Sequence, residues 1–179
     1  MCQYLTPRRV RTPHPIVLLA ALVLPACGTP PPPSTLALDA PHAAAIAESV
    51  RAFADAVARD VSHHGPSAWR AYFADTAAFF MAAEGRLVFP SSDSATRGID
   101  GLERAIAHIE LRWGDSLRVD ALVPGLAMMA VPYEESRVDR AGHRVDERGF
   151  FTGLVEHRGR GWQFWDAHWS VLASPGPVP

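Results

Sequence analysis

The chain has 179 residues, with 17 arginines, no lysine, 19 acidic residues and a formal net charge of −2. An acidic balance without a basic cluster argues against nucleic acid as a partner, and the absence of lysine excludes Schiff-base chemistry on a lysine. The only cysteines are Cys2 and Cys27, too few for a disulfide framework or a cysteine metal cluster.

Residues 1–15 carry Arg8, Arg9 and Arg11 and no acid, and residues 16–26 form a short apolar core. That core falls short of the roughly 20 residues an ordinary membrane-spanning helix needs and suits a signal peptide. It ends Leu24-Pro25-Ala26-Cys27-Gly28. This resembles a bacterial lipoprotein signal, in which a small residue precedes a cysteine that is lipidated and becomes the new N-terminus; Pro25 departs from the usual residue there. The resemblance implies a signal at 1–26, lipidation of Cys27 and a protein anchored by lipid in the bacterial cell envelope, at the outer membrane or its periplasmic face. The alternatives are an ordinary secretory signal cut near Ala26 or an uncleaved anchor. Residues 27–40 include Pro30 to Pro33 and read as an extended tether. Loss of Arg8, Arg9 and Arg11 leaves 14 basic against 19 acidic residues, a net of −5.

The remaining chain is long enough for one domain, 41–173, with a tail at 174–179. Residues 41–61 predict an amphipathic helix, since Ile46, Val50, Phe53, Val57 and Val61 recur at spacings of three and four. Ser62 to Pro66 breaks it, and a short helix over about 67–74 follows. Residues 77–82 and Arg86 to Phe89 predict a hairpin turned at Glu84-Gly85. A polar loop, Ser91 to Gly98, leads to a predicted third helix, capped by Asp100 with Glu103 and ending near Trp113. Four strands complete the order: Leu117–Val123, Leu126 to about Val138, Val145 to about His157, and Trp162–Ala173. Helices segregated from strands in this way indicate an α+β domain with helices on one face of a curved antiparallel sheet.

In the last strand, strict alternation places Trp162, Phe164, Asp166, His168 and Ser170 on one face, and Trp165 with Trp169 on the other. The first face runs from apolar to titratable, as the wall of a pocket does. Asp166 and His168, about 7 Å apart along the strand, have the makings of an oriented general base. The plain alternative is that His168 and Ser170 hydrogen-bond loops at the rim.

The order of elements, Tyr72-Phe73-Ala74-Asp75 before the first strand, Arg97-Gly98-Ile99-Asp100-Gly101, and the ending Gly161-Trp162 to His168-Trp169-Ser170 resemble the nuclear transport factor 2-like superfamily, in its SnoaL-like branch. The resemblance implies a cone: a strongly curved antiparallel sheet wrapped around about three helices from the N-terminal half, with a pocket between them. The superfamily holds isomerases, cyclases, dehydratases and many members without catalysis, so fold does not decide function. Relatives that dimerise through the outer sheet face suggest Trp165 and Trp169 as an interface.

Tyr133 is a candidate oxyanion donor on a neighbouring strand. Glu134 and Glu135 beside it face opposite ways and cannot both line one pocket without a bulge. Trp69, Tyr72, Phe73, Phe79, Phe150, Thr152, Trp162, Phe164 and Ser170 are candidate pocket walls, although aromatic residues so placed also serve as plain core. Phe150, Thr152 and Leu154 are expected to face the cone, rather than Phe151, Gly153 and Val155. No cofactor motif is present, and His63-His64 lacks a third metal ligand at suitable spacing. Three readings stand open: an envelope lipoprotein binding a small, partly apolar ligand or a protein; a cofactor-independent proton-transfer enzyme using His168, Asp166 and Tyr133; and a structural homodimerisation module.

Overall fold

The computed structural model describes residues 38–172. The signal segment, Cys27, most of the tether and residues 173–179 lie outside the described residues.

Helix α1 spans Ala40–His64. Asp39 caps it by accepting from the His42 N–H at 2.9 Å, and Pro41 occupies its first turn, where a missing N–H costs nothing. Its stripe of Val50, Phe53, Ala54, Val57 and Val61 is buried. Complete burial of each valine contributes on the order of 1.5–3 kcal/mol. Gly65, at φ 76°, ends the helix, because a positive φ suits glycine. A 3-10 turn at Pro66–Ala68 and a single-turn helix α2, Trp69–Tyr72, stand where a longer second helix was expected. The hairpin forms as expected from β1 (Phe80–Ala83) and β2 (Arg86–Phe89), turned at Glu84-Gly85 with both φ positive.

The third helix departs from expectation. Helix α3 spans Ser92–Ala105, opening inside the predicted polar loop. Its cap is Ser91, which accepts from the Ser94 N–H while Ser94 Oγ accepts from the Ser91 N–H. Asp100 and Glu103 are no cap; both receive the Arg70 guanidinium of α2. Where the helix was expected to run on, Ile106–Trp113 is strand β3. Ile109 and Leu111 are buried there while Glu110 and Arg112 are exposed, a period of two. The register slips between Ile106 and His108, and this gives Ile106 and Ile109 the spacing of three that imitates a helix.

Strands β4 (Arg118–Val123), β5 (Leu126–Asp139), β6 (Arg144–Arg158) and β7 (Gly161–Val171) follow. The sheet order is β2-β1-β7-β6-β5-β3, with β4 also on β5. Pairing is antiparallel except between β1 and β7. The sheet is open and curved, and with the three helices it makes the expected α+β cone. Trp113 donates from Nε1 to the Ala54 carbonyl at 2.8 Å, and Trp162 to Ser49 Oγ at 2.8 Å. Both tie α1 to the sheet through aromatic side chains whose polar atoms find partners.

Two assignments of strand faces are corrected. On β7, Leu154 of β6 pairs with Asp166 and Val155 with Phe164, which leaves Trp165 without a partner. This β-bulge reverses the alternation. Phe164 is inward before it; Ala167 is inward after it and Trp169 joins the same core. Asp166, His168 and Ser170 therefore do not share the face of Phe164. On β6, Phe151, Gly153 and Val155 face the core and Phe150 is 45% exposed. Thr152 and Leu154 share the outer set with Phe150. The inner choice follows from space. A Cβ on Gly149 would lie 1.9 Å from the Ser170 carbonyl oxygen and 2.9 Å from Tyr133 Cε1, and one on Gly153 would lie 2.8 Å from the Phe151 ring. The concave face needs bare glycines so that large rings can lie across it.

Candidate functional site

The inner faces of β5, β6 and β7 converge on an aromatic group. Trp169 lies at centroid distances of 4.6 Å from Phe151, 4.7 Å from Tyr133, 5.7 Å from Trp113 and 5.9 Å from Trp69. Trp69 stacks on Phe73 at 5.3 Å. Beside this group is a cavity of about 230 Å³, with Trp69, Phe73, Phe89, Ile99, Ile109 and Trp169 on its walls. An engineered apolar cavity of about 150 Å³ takes up benzene, so this one has room for a substituted ring.

One end of the cavity is polar. The inward set of β5 runs Ala127, Met129, Val131 and Tyr133, all buried, and continues to Glu135 and Arg137, which line the cavity. Glu147 of β6 pairs in register with Glu135 and lines it too. Tyr133, 1% exposed, donates its hydroxyl to Glu147 Oε1 at 2.7 Å. Arg137 donates to Glu147 Oε2 at 2.9 Å, so both Glu147 oxygens are engaged. Arg137 Nε also stands 3.2 Å from Glu135 Oε1. Glu84, on the β1–β2 turn, completes the charged lining and accepts from the Val171 N–H at 2.5 Å.

Glu135 is the unusual member. Its side chain is 10% exposed. Burial pushes its carboxyl up to about 7; Arg137 opposes the shift and Glu147 adds to it. A carboxyl poised near neutrality in an apolar enclosure accepts or donates a proton without a large penalty either way. Burial also holds the Tyr133 hydroxyl far above its usual range, with the bond to Glu147 contributing. Tyr133 is thus a neutral donor, and its proton is committed to Glu147.

Of the residues expected from sequence, Trp69 and Phe73 line the cavity, and Tyr133 stands one bond behind it. Trp169, expected at an outer interface, is a cavity wall. His168 is exposed, in register with Ala82 of β1 and Thr152 of β6. Asp166 accepts from the Leu154 N–H at 3.0 Å, and Ser170 donates to the Phe150 carbonyl at 3.1 Å. Those two side chains satisfy the sheet, and neither they nor His168 line the cavity. Tyr72 donates to Asp60, Phe79 and Phe164 are sealed in the core, and Trp162 sits against His157. Phe150 and Thr152 are on the outer face. Trp165 is half-buried at the bulge. Among the described residues no group of His, Cys, Asp and Glu is disposed to hold a metal.

No family model and no curated protein matches the chain. Solved structures do. A nuclear transport factor 2-like superfamily protein from Salmonella enterica serovar Typhimurium superposes with a TM-score of 0.58 at 12% identity, over 76% of this chain and 95% of its own. The fold is that of the nuclear transport factor 2-like superfamily. A type 2 hexachlorocyclohexane dehydrochlorinase gives 0.58 at 11% identity, over 78% of this chain and 100% of its own. A ketosteroid isomerase-like protein from Erwinia carotovora atroseptica gives 0.56 at 14% identity, over 71% and 96%. At these identities the likeness is one of fold. The nuclear transport factor 2-like cone supplies the cavity, and this chain's own side chains decide what the cavity accepts.

Proposed function

We propose that this is an exported, lipid-anchored protein whose nuclear transport factor 2-like cone binds a small, partly apolar molecule. The observation that carries the reading is the union of an aromatic cavity of about 230 Å³ with a nine-tenths-buried carboxyl, Glu135, at its polar end. Apolar walls with a few convergent polar groups are the usual make-up of a small-molecule site. Native mass spectrometry of the solubilised mature protein tests it. A retained small molecule that is lost when Trp69 or Trp169 is changed supports the reading, and an empty cone that takes up no small aromatic compound refutes it.

A second reading is favoured by the raised Glu135 carboxyl: cofactor-independent proton transfer on the bound molecule, with Glu135 as base and Tyr133 holding Glu147. A dehydrochlorinase and an isomerase-like protein share the fold, which is consistent with this chemistry. The envelope location rests on Leu24-Pro25-Ala26-Cys27, and Cys27→Ser abolishes membrane association if lipidation is real. The outer sheet face exposes Phe80, Met128 and Phe150, which supports a homodimer through that face. The same mass spectrum reads its mass.

A further inference from the structure

The charged lining of the cavity is unbalanced. Among the described residues it comprises Glu84, Glu135 and Glu147 against a single cation, Arg137. Arg137 is already spent on two of those carboxylates, at 2.9 Å from Glu147 and 3.2 Å from Glu135. Glu147 has a donor on each oxygen. Among the described residues Glu135 meets only the Arg137 guanidinium, at one oxygen, and its side chain is 10% exposed. A buried carboxylate with so little compensation attracts a positive charge. The same cavity is walled by Trp69, Phe73, Phe89 and Trp169, and aromatic rings attract cations.

We infer that the ligand of this cone is an organic cation: a small amine whose ammonium group sits at Glu135 and whose apolar part lies against Trp69, Phe73 and Trp169. This rests on reading the cone as a small-ligand pocket and names the ligand's charge. An anionic ligand meets one cation of the cavity lining, Arg137, against three carboxylates. A neutral ligand leaves Glu135 to be neutralised by a proton instead.

Among the described residues, the charges that act on Glu135 are Arg137 of its own strand and Glu147 of β6. Tyr133 reaches it through Glu147 and Glu84 of the β1–β2 turn shares its cavity. Glu110 and Arg112 of β3, Glu134 of β5, and Arg144, Asp146 and Arg148 of β6 line a neighbouring groove that Glu135 and Glu147 also border. The faces that β3 and α3 present to the cavity are Ile106, Ile109, Ile99 and Leu102, which do not titrate. With the empty-site Glu135 carboxyl near 7, a cation that requires the carboxylate binds about tenfold more tightly at pH 8 than at pH 6 and releases a proton on binding.

The test compares benzylamine, benzyl alcohol and benzoate, similar in size and different in charge, by isothermal titration calorimetry on the mature protein. The expected result is a Kd for benzylamine at least tenfold below that for either of the others. It falls about tenfold from pH 6 to pH 8, and Glu135→Gln raises it at least tenfold. Benzyl alcohol or benzoate binding as tightly as benzylamine overturns the inference and leaves the pocket reading intact. So does an affinity for benzylamine that is flat or falling with pH, a readout on the unaltered protein that stands even if the variant does not fold. Binding of none of the three overturns both.

Discussion

The Tyr133 hydroxyl donates to Glu147 Oε1 at 2.7 Å across the β5–β6 ladder, and this bond fixes the polar end of the cone. Tyr133→Phe keeps the ring against Trp169 and removes only the donor. Glu147 then keeps Arg137 alone. Because Glu147 is partly exposed, water replaces some of the loss, and the expected cost is about 1–2 kcal/mol. Urea unfolding at constant m-value checks this. The same variant lowers affinity for the cavity ligand through a displaced Glu147.

The raised Glu135 carboxyl makes stability depend on pH in a definite direction. Its folded value, about 7, lies above the reference 4.5. The folded state therefore holds the proton more tightly. The stabilisation is complete below about 4.5 and is lost as pH rises through 7, on the order of 3 kcal/mol in all. Asp39, Asp139 and Asp146, lowered chiefly by hydrogen bonds to His42, His143 and Arg144 respectively, act in the opposite sense and below this window. Urea midpoints at pH 4.5 and pH 8 are expected to fall in the unaltered protein and to fall much less in Glu135→Gln. Equal slopes in the two proteins contradict the assignment.

Gly149 is expected to tolerate nothing larger. A methyl group there meets the Ser170 carbonyl at 1.9 Å and the Tyr133 ring at 2.9 Å, and backbone cannot yield as a flexible side chain does. Gly149→Ala is expected to cost about 3 kcal/mol or more, or to prevent folding. Gly159→Ala, with nothing within 4 Å of the added methyl, serves as the near-neutral control. Thermal unfolding of the pair makes the comparison.

His168 and Asp166 separate fold from function. His168→Ala is expected to change ligand affinity less than twofold and stability by less than about 0.5 kcal/mol, as for an exposed residue. Asp166→Ala strands the Leu154 N–H at the bulge and is expected to cost about 1–2 kcal/mol, again without altering affinity. Binding that depends on His168 contradicts the placement of the site inside the cone.

Much of the fold was legible because its signals are local. The α1 stripe, the Glu84-Gly85 turn and the long strands after Pro124 each carry their period in adjacent residues. The site was not, because one bulged residue, Trp165, reverses the faces of everything after it. No pattern in Gly161 to Val171 announces that reversal, and strict alternation assigns Asp166 and His168 to the inside and Trp169 to the outside. The opposite choice on β6 had a readable clue in Gly149 and Gly153, which leave room where rings must cross. Glu135 was within reach, as the inward neighbour of Tyr133 at a spacing of two. Its partner Glu147 was not, since only the β5–β6 register brings the two together.

On the proposed reading, ligand enters the cone and not the outer sheet face. The direct measurement is the ¹H–¹⁵N spectrum of the five tryptophan indoles during titration with benzylamine, benzyl alcohol and benzoate. Trp69 and Trp169 are expected to shift with a binding compound while Trp165 stays fixed. A shift at Trp165 with Trp69 and Trp169 unmoved contradicts it.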